Sequence, residues 1–258
     1  YHKYYVVEAH ERERKQRMER QRIFIDDILS NENMNRAYKQ VIKNKGAAGI
    51  DGMECNDLLS HLKVNGHQLR ESIRNQSYKP MPVKRVEIPK DNGSKRKLGI
   101  PTVTDRMIQQ AAAQVLTPIY ERKFHTNSYG FRPGKSAQQA VLKAAEYMNE
   151  GYNWVVDIDL EKFFDTVEHD KMISILNKEI KDGKTLSLIR KFLVSGVMVG
   201  EQMEETEIGT PNDAPTAQNH ADLRGVVLRN VFRSGGLCAF TGGGTSCGEN
   251  AGQYVLVL

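Results

Sequence analysis

Apolar side chains between residues 23 and 44 recur near a 3.6-residue period, at Ile25, Ile28, Leu29, Met34, Ala37, Tyr38 and Val41, and predict amphipathic helix. Ser30 or Asn33 is placed to cap a second helix within that stretch, and Gly46 to stop it. The same period predicts a helix over 58–73 closed by Tyr78-Lys79-Pro80, one over 105–124 with Thr104 as N-cap, and one capped by Ser136 and running to 147. Further helices are predicted over 169–180, broken by Asp182-Gly183, and over 186–196. The 105–124 segment is apolar enough to be mostly core, with Gln109 and Gln110 as surface polars. Residues 8–22 are dense in Glu, Arg, Lys and Gln with almost no apolar stripe, and read as a solvated helical arm.

A period of two marks the strands. V-K-R-V-E-I-P-K at 83–90 and K-R-K-L-G-I at 95–100 flank D-N-G-S, and an N-G pair between extended runs predicts a hairpin. Six cations between 84 and 97 face only Glu87 and Asp91. Such a hairpin repels itself unless something negative lies on it, although an edge strand guarded by lysines reads the same way. N-W-V-V-D-I-D-L at 153–160 is a second strand, with Val155, Asp157 and Asp159 on one face and Trp154, Val156, Ile158 and Leu160 on the other, core, face. Carboxylates about 7 Å apart on one strand face repel unless solvent or cations separate them, and hard divalent ions such as Mg²⁺ suit them. By itself that spacing is equally the mark of an edge strand with solvated acids. The apolar pair Phe163-Phe164 directly after the acids is an unusual neighbour for a strand end that faces only water.

Composition narrows the setting. A chain of 258 residues with 39% hydrophobic residues buries one large core or two modest ones. No run approaches the 18 or so apolar residues of a membrane span and no signal leader opens the chain, so a soluble protein with no membrane partner is expected. Cys55, Cys238 and Cys247 are odd in number and scattered, which indicates neither a disulfide framework nor a zinc quartet and fits a reducing, cytoplasmic setting. A net charge of +5 with a pI near 9.0 favours a polyanionic partner. The loop K-G-A-A-G-I-D-G at 45–52 could cradle phosphates through backbone N–H groups, but it lacks the G-K-[ST] ending of a P-loop and reads as a connector.

D-I-D-L-E-K-F-F-D at 157–165 resembles motif A of right-hand polymerase palms, in the form found in group II intron reverse transcriptases. N-K-G-A-A-G-I-D-G at 44–52, I-P-K at 88–90, R-K-L-G-I-P at 96–101, S-Y-G-F-R-P-G at 128–134 and I-G-T-P at 208–211 follow the same family in the same order, so the resemblance covers roughly residues 23–211. It implies an α+β fold: an antiparallel palm sheet backed by helices, and helical fingers carrying the basic β-hairpin. In that scheme residues 1–22 form the basic arm, 23–135 the fingers and 136–258 part of a palm, while a thumb, a maturase X region and any DNA-binding domain would follow Leu258. It further implies that Asp159 and the Leu160 carbonyl bind Mg²⁺, that Lys90 and Arg96 contact the triphosphate, that Phe164 lies against the incoming sugar and that Arg132 lines the RNA channel. The implied function is RNA-directed DNA polymerisation by two-metal nucleotidyl transfer, with splicing assistance and retrohoming. The partners are group II intron RNA, an RNA template with DNA primer, and dNTPs, and the scheme is compatible with a homodimer. A diversity-generating lineage matches less well.

After Pro211 the pattern departs. The family continues with Q-G-G and, about thirty residues on, Y-A-D-D, whose aspartates complete the metal site; here the chain reads N-D-A at 212–214, and the stretch where Y-A-D-D is expected, F-T-G-G-G-T-S-C at 240–247, has no carboxylate. Eight of the 21 glycines and no lysine lie in this tail. Three accounts compete: altered residues, unrelated sequence joined on, or a natural lineage that has lost catalysis. Confinement of the change to one block favours the first two. The competing functional reading is a catalytically incomplete RNA-binding maturase on the same scaffold.

Overall fold

The computed structural model describes residues 25–89, 95–152, 154–158, 166–209, 245–247 and 254–257, with the backbone alone described at Arg96 and in the strands at 155–158, 245–247 and 254–257. The arm predicted at 8–22 lies outside the described residues.

Helix α1 (Ile25–Ile28) leads into α2 (Asn31–Asn44). Ser30, not Asn33, is the cap: its Oγ accepts from the Asn33 N–H at 3.3 Å. Asn33 is buried instead, and its Nδ2 donates to the carbonyls of Ile28 and Ala111, each at 2.9 Å. α2 ends at Lys45, which takes the left-handed conformation one residue before Gly46. A short 3₁₀ turn at Cys55–Asp57 starts α3 (Leu58–Arg74), which stops at Asn75, ahead of the predicted closing triplet.

Helix α4 (Val103–Glu121) begins two residues earlier than expected. Thr102 is extended and its Oγ1 accepts from the Asp105 N–H at 3.1 Å, so Thr102 is the cap and Thr104 lies inside the first turn. Gln109 and Gln110 are not surface residues; at 2% and 8% exposure they lie within a helix that buries eleven residues around most of its circumference. A helix enclosed on several sides buries polar positions that a single-face pattern assigns to water. α5 (Ala137–Asn149) starts from a reciprocal Ser136–Gln139 capping box. It leaves Val141, Leu142 and Met148 exposed.

α6 (His169–Asn177) is three residues shorter than its prediction, and α7 (Gly183–Leu193) starts three residues earlier and ends three earlier. The reason is Asp182: its carboxylate accepts from the Thr185 N–H at 3.0 Å and the Thr185 hydroxyl at 2.6 Å, so Asp182-Gly183 opens a helix. The same Oδ2 accepts the Ile25 N–H at 3.1 Å, joining the first described residue to the second half of the chain.

Strands β1 (Val83–Pro89) and β2 (Lys95–Ile100) form the predicted antiparallel hairpin, from Lys84 opposite Ile100 to Pro89 opposite Lys95. β1 also pairs in parallel with β4 (Val197–Val199), which turns back into β5 (Gln202–Glu204), giving the order β2-β1-β4-β5. This sheet, which carries the hairpin, is therefore mixed. β3 (Val155–Ile158), β7 (Tyr254–Val257) and β6 (Thr245–Cys247) form a second, antiparallel sheet in the order β3-β7-β6. Trp154, expected on the core face, is 77% exposed: it precedes the first ladder pair, Val155 with Val257.

One hydrophobic cluster runs through α1 to α4 and on into α6 and α7, from Ile28, Ala37 and Leu58 through Ile108 and Leu116 to Met172 and Ile189. Among the described residues no helix is long and apolar enough to cross a membrane.

Asp105, 1% exposed, ties several strands of this structure together. Its carboxylate accepts from the Tyr78 hydroxyl at 2.6 Å, the Thr102 hydroxyl at 2.7 Å and the Met81 N–H at 3.2 Å. Burial, reinforced by the Asp105 charge, holds the Tyr78 phenol well above its ordinary value of 10.0. Beside it the glycine-rich loop lies against the start of α4: Arg106 Nη2 donates to the Ala47 carbonyl at 2.8 Å, and a Cβ on Gly49 would sit 2.6 Å from Thr102 Cα. The loop is thus a close-packed connector.

Two outcomes follow from this packing. Gly49→Ala forces backbone apart and is expected to destabilise the protein by about 1–3 kcal/mol in urea unfolding. A raised folded-state pKa contributes stability that is fully present below the unfolded tyrosine's value of about 10 and is lost as the pH rises through the folded value. Unfolding free energy should therefore fall above about pH 10, and Tyr78→Phe should make that fall shallower in a pH series.

Candidate active site

The cationic hairpin is fixed at its root, where β1 meets β4. Val83 is buried and its N–H donates to the Gly196 carbonyl at 3.1 Å, while Val83 and Lys84 face Val197 and Met198 of β4. Beyond Lys84, β1 is laddered among the described strands with β2, and Glu87, Ile88 and Pro89 are exposed. Glu87 lies opposite Lys97 in register but pairs diagonally with Lys95, Nζ to Oε2 at 2.8 Å, and that bond holds the Glu87 carboxyl below its usual range. Lys84, Lys95 and Lys97 are exposed, so the hairpin presents an excess of positive charge to solvent.

From β4 the chain runs through β5 to residues 208–209, and there it is clipped to the end of the acidic stretch. Glu168 bridges to Ile208, and the Gly209 N–H donates to the Val167 carbonyl at 2.9 Å. His169, 6% exposed, has Nε2 2.6 Å from the Gly209 carbonyl; that contact requires the proton on Nε2. Sequence reading had no signal for this clip beyond the I-G-T-P motif itself. Its effect is to link the basic hairpin, through β4 and β5, to the residues that follow motif A.

The segment at 124–135 folds back on the C-terminal end of α4 around Arg132. Nε and Nη2 of Arg132 donate to Glu121 Oε1 at 2.9 and 2.7 Å, and Nη1 donates to the His125 and Ser128 carbonyls at 2.7 and 2.8 Å. The guanidinium also lies 5.1 Å from the centre of the Phe124 ring, and the side chain is 8% exposed. Four of the five N–H donors that an arginine carries are used within the loop. Phe131 and Gly134, both at positive φ, make the turns that this closure needs.

Of the other predicted site residues, Asp159, Leu160, Phe164 and Lys90 lie outside the described residues. Arg96 is placed by its backbone opposite Ile88 in the hairpin ladder. β3 delivers the chain toward Asp159, with Ile158 opposite Tyr254 of β7.

A family model described as reverse transcriptase (RNA-dependent DNA polymerase) matches residues 88–219, just over half of the chain. The chain belongs to the reverse transcriptase family. It is 38% identical over 177 residues to the group II intron-encoded protein LtrA of Lactococcus lactis subsp. cremoris, a match covering 68% of this chain and 29% of that protein. It is 35% identical over 175 residues to protein YkfC of Escherichia coli K12, covering 66% of this chain and 46% of the other. This reverse transcriptase thus spans less than half the length of both relatives. A solved structure, a Cas6-RT-Cas1–Cas2 complex, shares the fold: the TM-score is 0.51 over 90% of this chain and 38% of the other, at 21% identity.

The reverse transcriptase family uses divalent metal, and the donor chemistry here fits one hard ion: a carboxylate at Asp159 beside a main-chain carbonyl at Leu160 offers oxygen only. Y-V-L-V in β7, which pairs with β3, and T-S-C in β6, on the far side of β7, bring no further carboxylate to this sheet. Among the described residues no group of three His, Cys, Asp or Glu is gathered for a metal.

If Arg132 acts as the lock of the 124–135 loop, Arg132→Ala should destabilise the protein by about 3 kcal/mol, because Glu121 and two carbonyls lose their donors. Arg132→Lys, a single point donor, should recover less than half of that in thermal unfolding.

Proposed function

We propose that this chain is the fingers and part of the palm of a group II intron-encoded reverse transcriptase, copying RNA into DNA and binding intron RNA to assist splicing. The observation that carries the reading is the linked path from the cationic hairpin through β4 and β5 to the Gly209–His169 clip, immediately after motif A. This connection supports reading the cationic hairpin and the segment that follows motif A as parts of one site for a triphosphate and its metal.

In this reading residues 23–135 are fingers and 136–258 palm, and residues 1–22 are an RNA-facing arm. Asp159 and the Leu160 carbonyl hold Mg²⁺, which when bound would neutralise charge on the attacking and leaving oxygens. Lys90 and Arg96 receive the triphosphate, Arg96 by the fork geometry that suits paired phosphate oxygens. Phe164 bounds the sugar. Arg132 serves the RNA channel by shaping the loop that lines it, since its guanidinium is committed to Glu121.

A second reading is favoured by one specific observation, the lack of carboxylates in β7 and β6, the other two described strands of the β3 sheet. Positioning and charge neutralisation supply most of the catalysis in phosphoryl transfer, so an Asp159 without acidic partners supports little of it. The scaffold then serves as an RNA-binding maturase.

Primer extension on an RNA template with Mg²⁺, run beside RNA binding, separates the two. Weak extension is expected from the present sequence, reduced about a hundredfold by Asp159→Ala with RNA affinity unchanged. Extension that survives Asp159→Ala would remove the catalytic role. Binding without extension in either protein would leave the maturase reading, and no RNA binding at all would sink both.

A further inference from the structure

Helices α2 and α3 leave a groove of about 580 Å³ between them, which Met107 of α4 also lines. That volume falls within the roughly 300–1,000 Å³ of small-ligand sites. Its floor is apolar: Met34 and Met107 are buried, and Tyr38, Leu62 and Leu69 are half-buried. The rim carries Lys39, Lys63, Arg70 and Arg74 together with Asn35 and His67, and no acid is among the lining residues. Not all of that charge is free. Arg74 is paired with Asp26 at 2.9 Å and Glu71 at 2.7 Å, and Arg70 donates to Asn31 at 2.5 Å. Lys39 and Lys63 are exposed and, among the described residues, have no ion-pair partner.

Gly66 gives the second, independent indication. It sits in the middle of α3, where glycine weakens a helix relative to alanine. Nothing local demands it: its φ is not positive, and a Cβ would meet only Leu62 Cβ at an ordinary 3.9 Å. The absent side chain leaves space on the groove side, between the apolar floor and Lys63.

We propose that this groove is a second RNA site, which takes one unstacked base of a single strand onto Tyr38 and the methionine floor while Lys39 and Lys63 hold the flanking phosphates. The proposal rests on the RNA-binding reading above and names a contact that it does not include. An apolar slot whose rim carries lysines and no acid matches the two chemistries of a single-stranded nucleotide, a flat apolar face and a phosphate. Duplex RNA, with its bases stacked inside, offers only the second.

The test compares binding of a short oligoadenylate with that of an RNA duplex of equal length, for the unaltered chain, Gly66→Leu, and Lys39→Gln combined with Lys63→Gln. Leucine at 66 adds a helix-favouring side chain that fills the groove, so its melting temperature should not fall. Its oligoadenylate affinity should drop by about tenfold, within the range for loss of one stacked base, with duplex affinity within about twofold. The double lysine variant should reduce the slope of log K against log salt by about 1.4 for the single strand. Unchanged oligoadenylate binding by Gly66→Leu and by the lysine pair, or parallel losses for duplex and single strand, would overturn the groove while leaving the RNA-binding reading in place. An acidic amphipathic peptide that binds more tightly than oligoadenylate and is lost with Gly66→Leu would overturn it in favour of a protein partner. Absence of any RNA binding by the unaltered chain would remove both readings together.

Discussion

Both roots of the cationic hairpin are held by one buried carboxylate. Asp105 accepts from Tyr78 and Met81, just before β1, and from Thr102, just after β2. A two-stranded ribbon is marginal on its own, and one that concentrates lysine and arginine works against itself electrostatically. Fixing its ends at a single point inside the protein, and adding β4 alongside Val83 and Lys84, lets the rest of the ribbon keep its charge exposed. The placement of the positive wall relative to everything else depends on that arrangement.

Asp105 can play this part because it is fully hydrogen-bonded within the capping turn of α4. A buried charge without partners would be strongly unfavourable; one that accepts hydroxyl and amide donors is tolerated and rigid. The same turn supports the glycine-rich loop through Gly49 and Arg106, so hairpin, loop and central helix share one joint. The buried His169–Gly209 contact performs a comparable service for the chain leaving β5.

Much of the helical framework was legible because the apolar period persists through each segment, and the N-G hairpin was legible because its turn chemistry is local. The misplacements have particular causes. Thr102 and Thr104 are both competent caps, and only the extended backbone after Pro101 decides between them. Gln109 and Gln110 look solvent-facing until α4 is seen to be enclosed on several sides. Asp182-Gly183 reads as a breaker, yet the carboxylate starts a helix and also receives Ile25, a partner 157 residues away that no local pattern contains. The parallel β1–β4 pairing is hidden for the same reason, since three residues of β4 carry too short a pattern to announce a sheet. In the candidate site, the motif order pointed to the family, whereas the internal commitment of Arg132 to Glu121 depends on a loop closure that motif spacing does not encode.

The unbroken core has a practical corollary for anyone dissecting this protein. Ile28, Ala37 and Leu58 pack in the same cluster as Met172 and Ile189, and the Ile25–Asp182 bond stitches the two ends of that cluster. Severing the polypeptide between 135 and 136 would therefore not yield two self-sufficient parts: each fragment would expose half of a shared interior, and neither would be soluble without the other. The residues before 135 and those after 166 share one hydrophobic cluster, which favours their unfolding together.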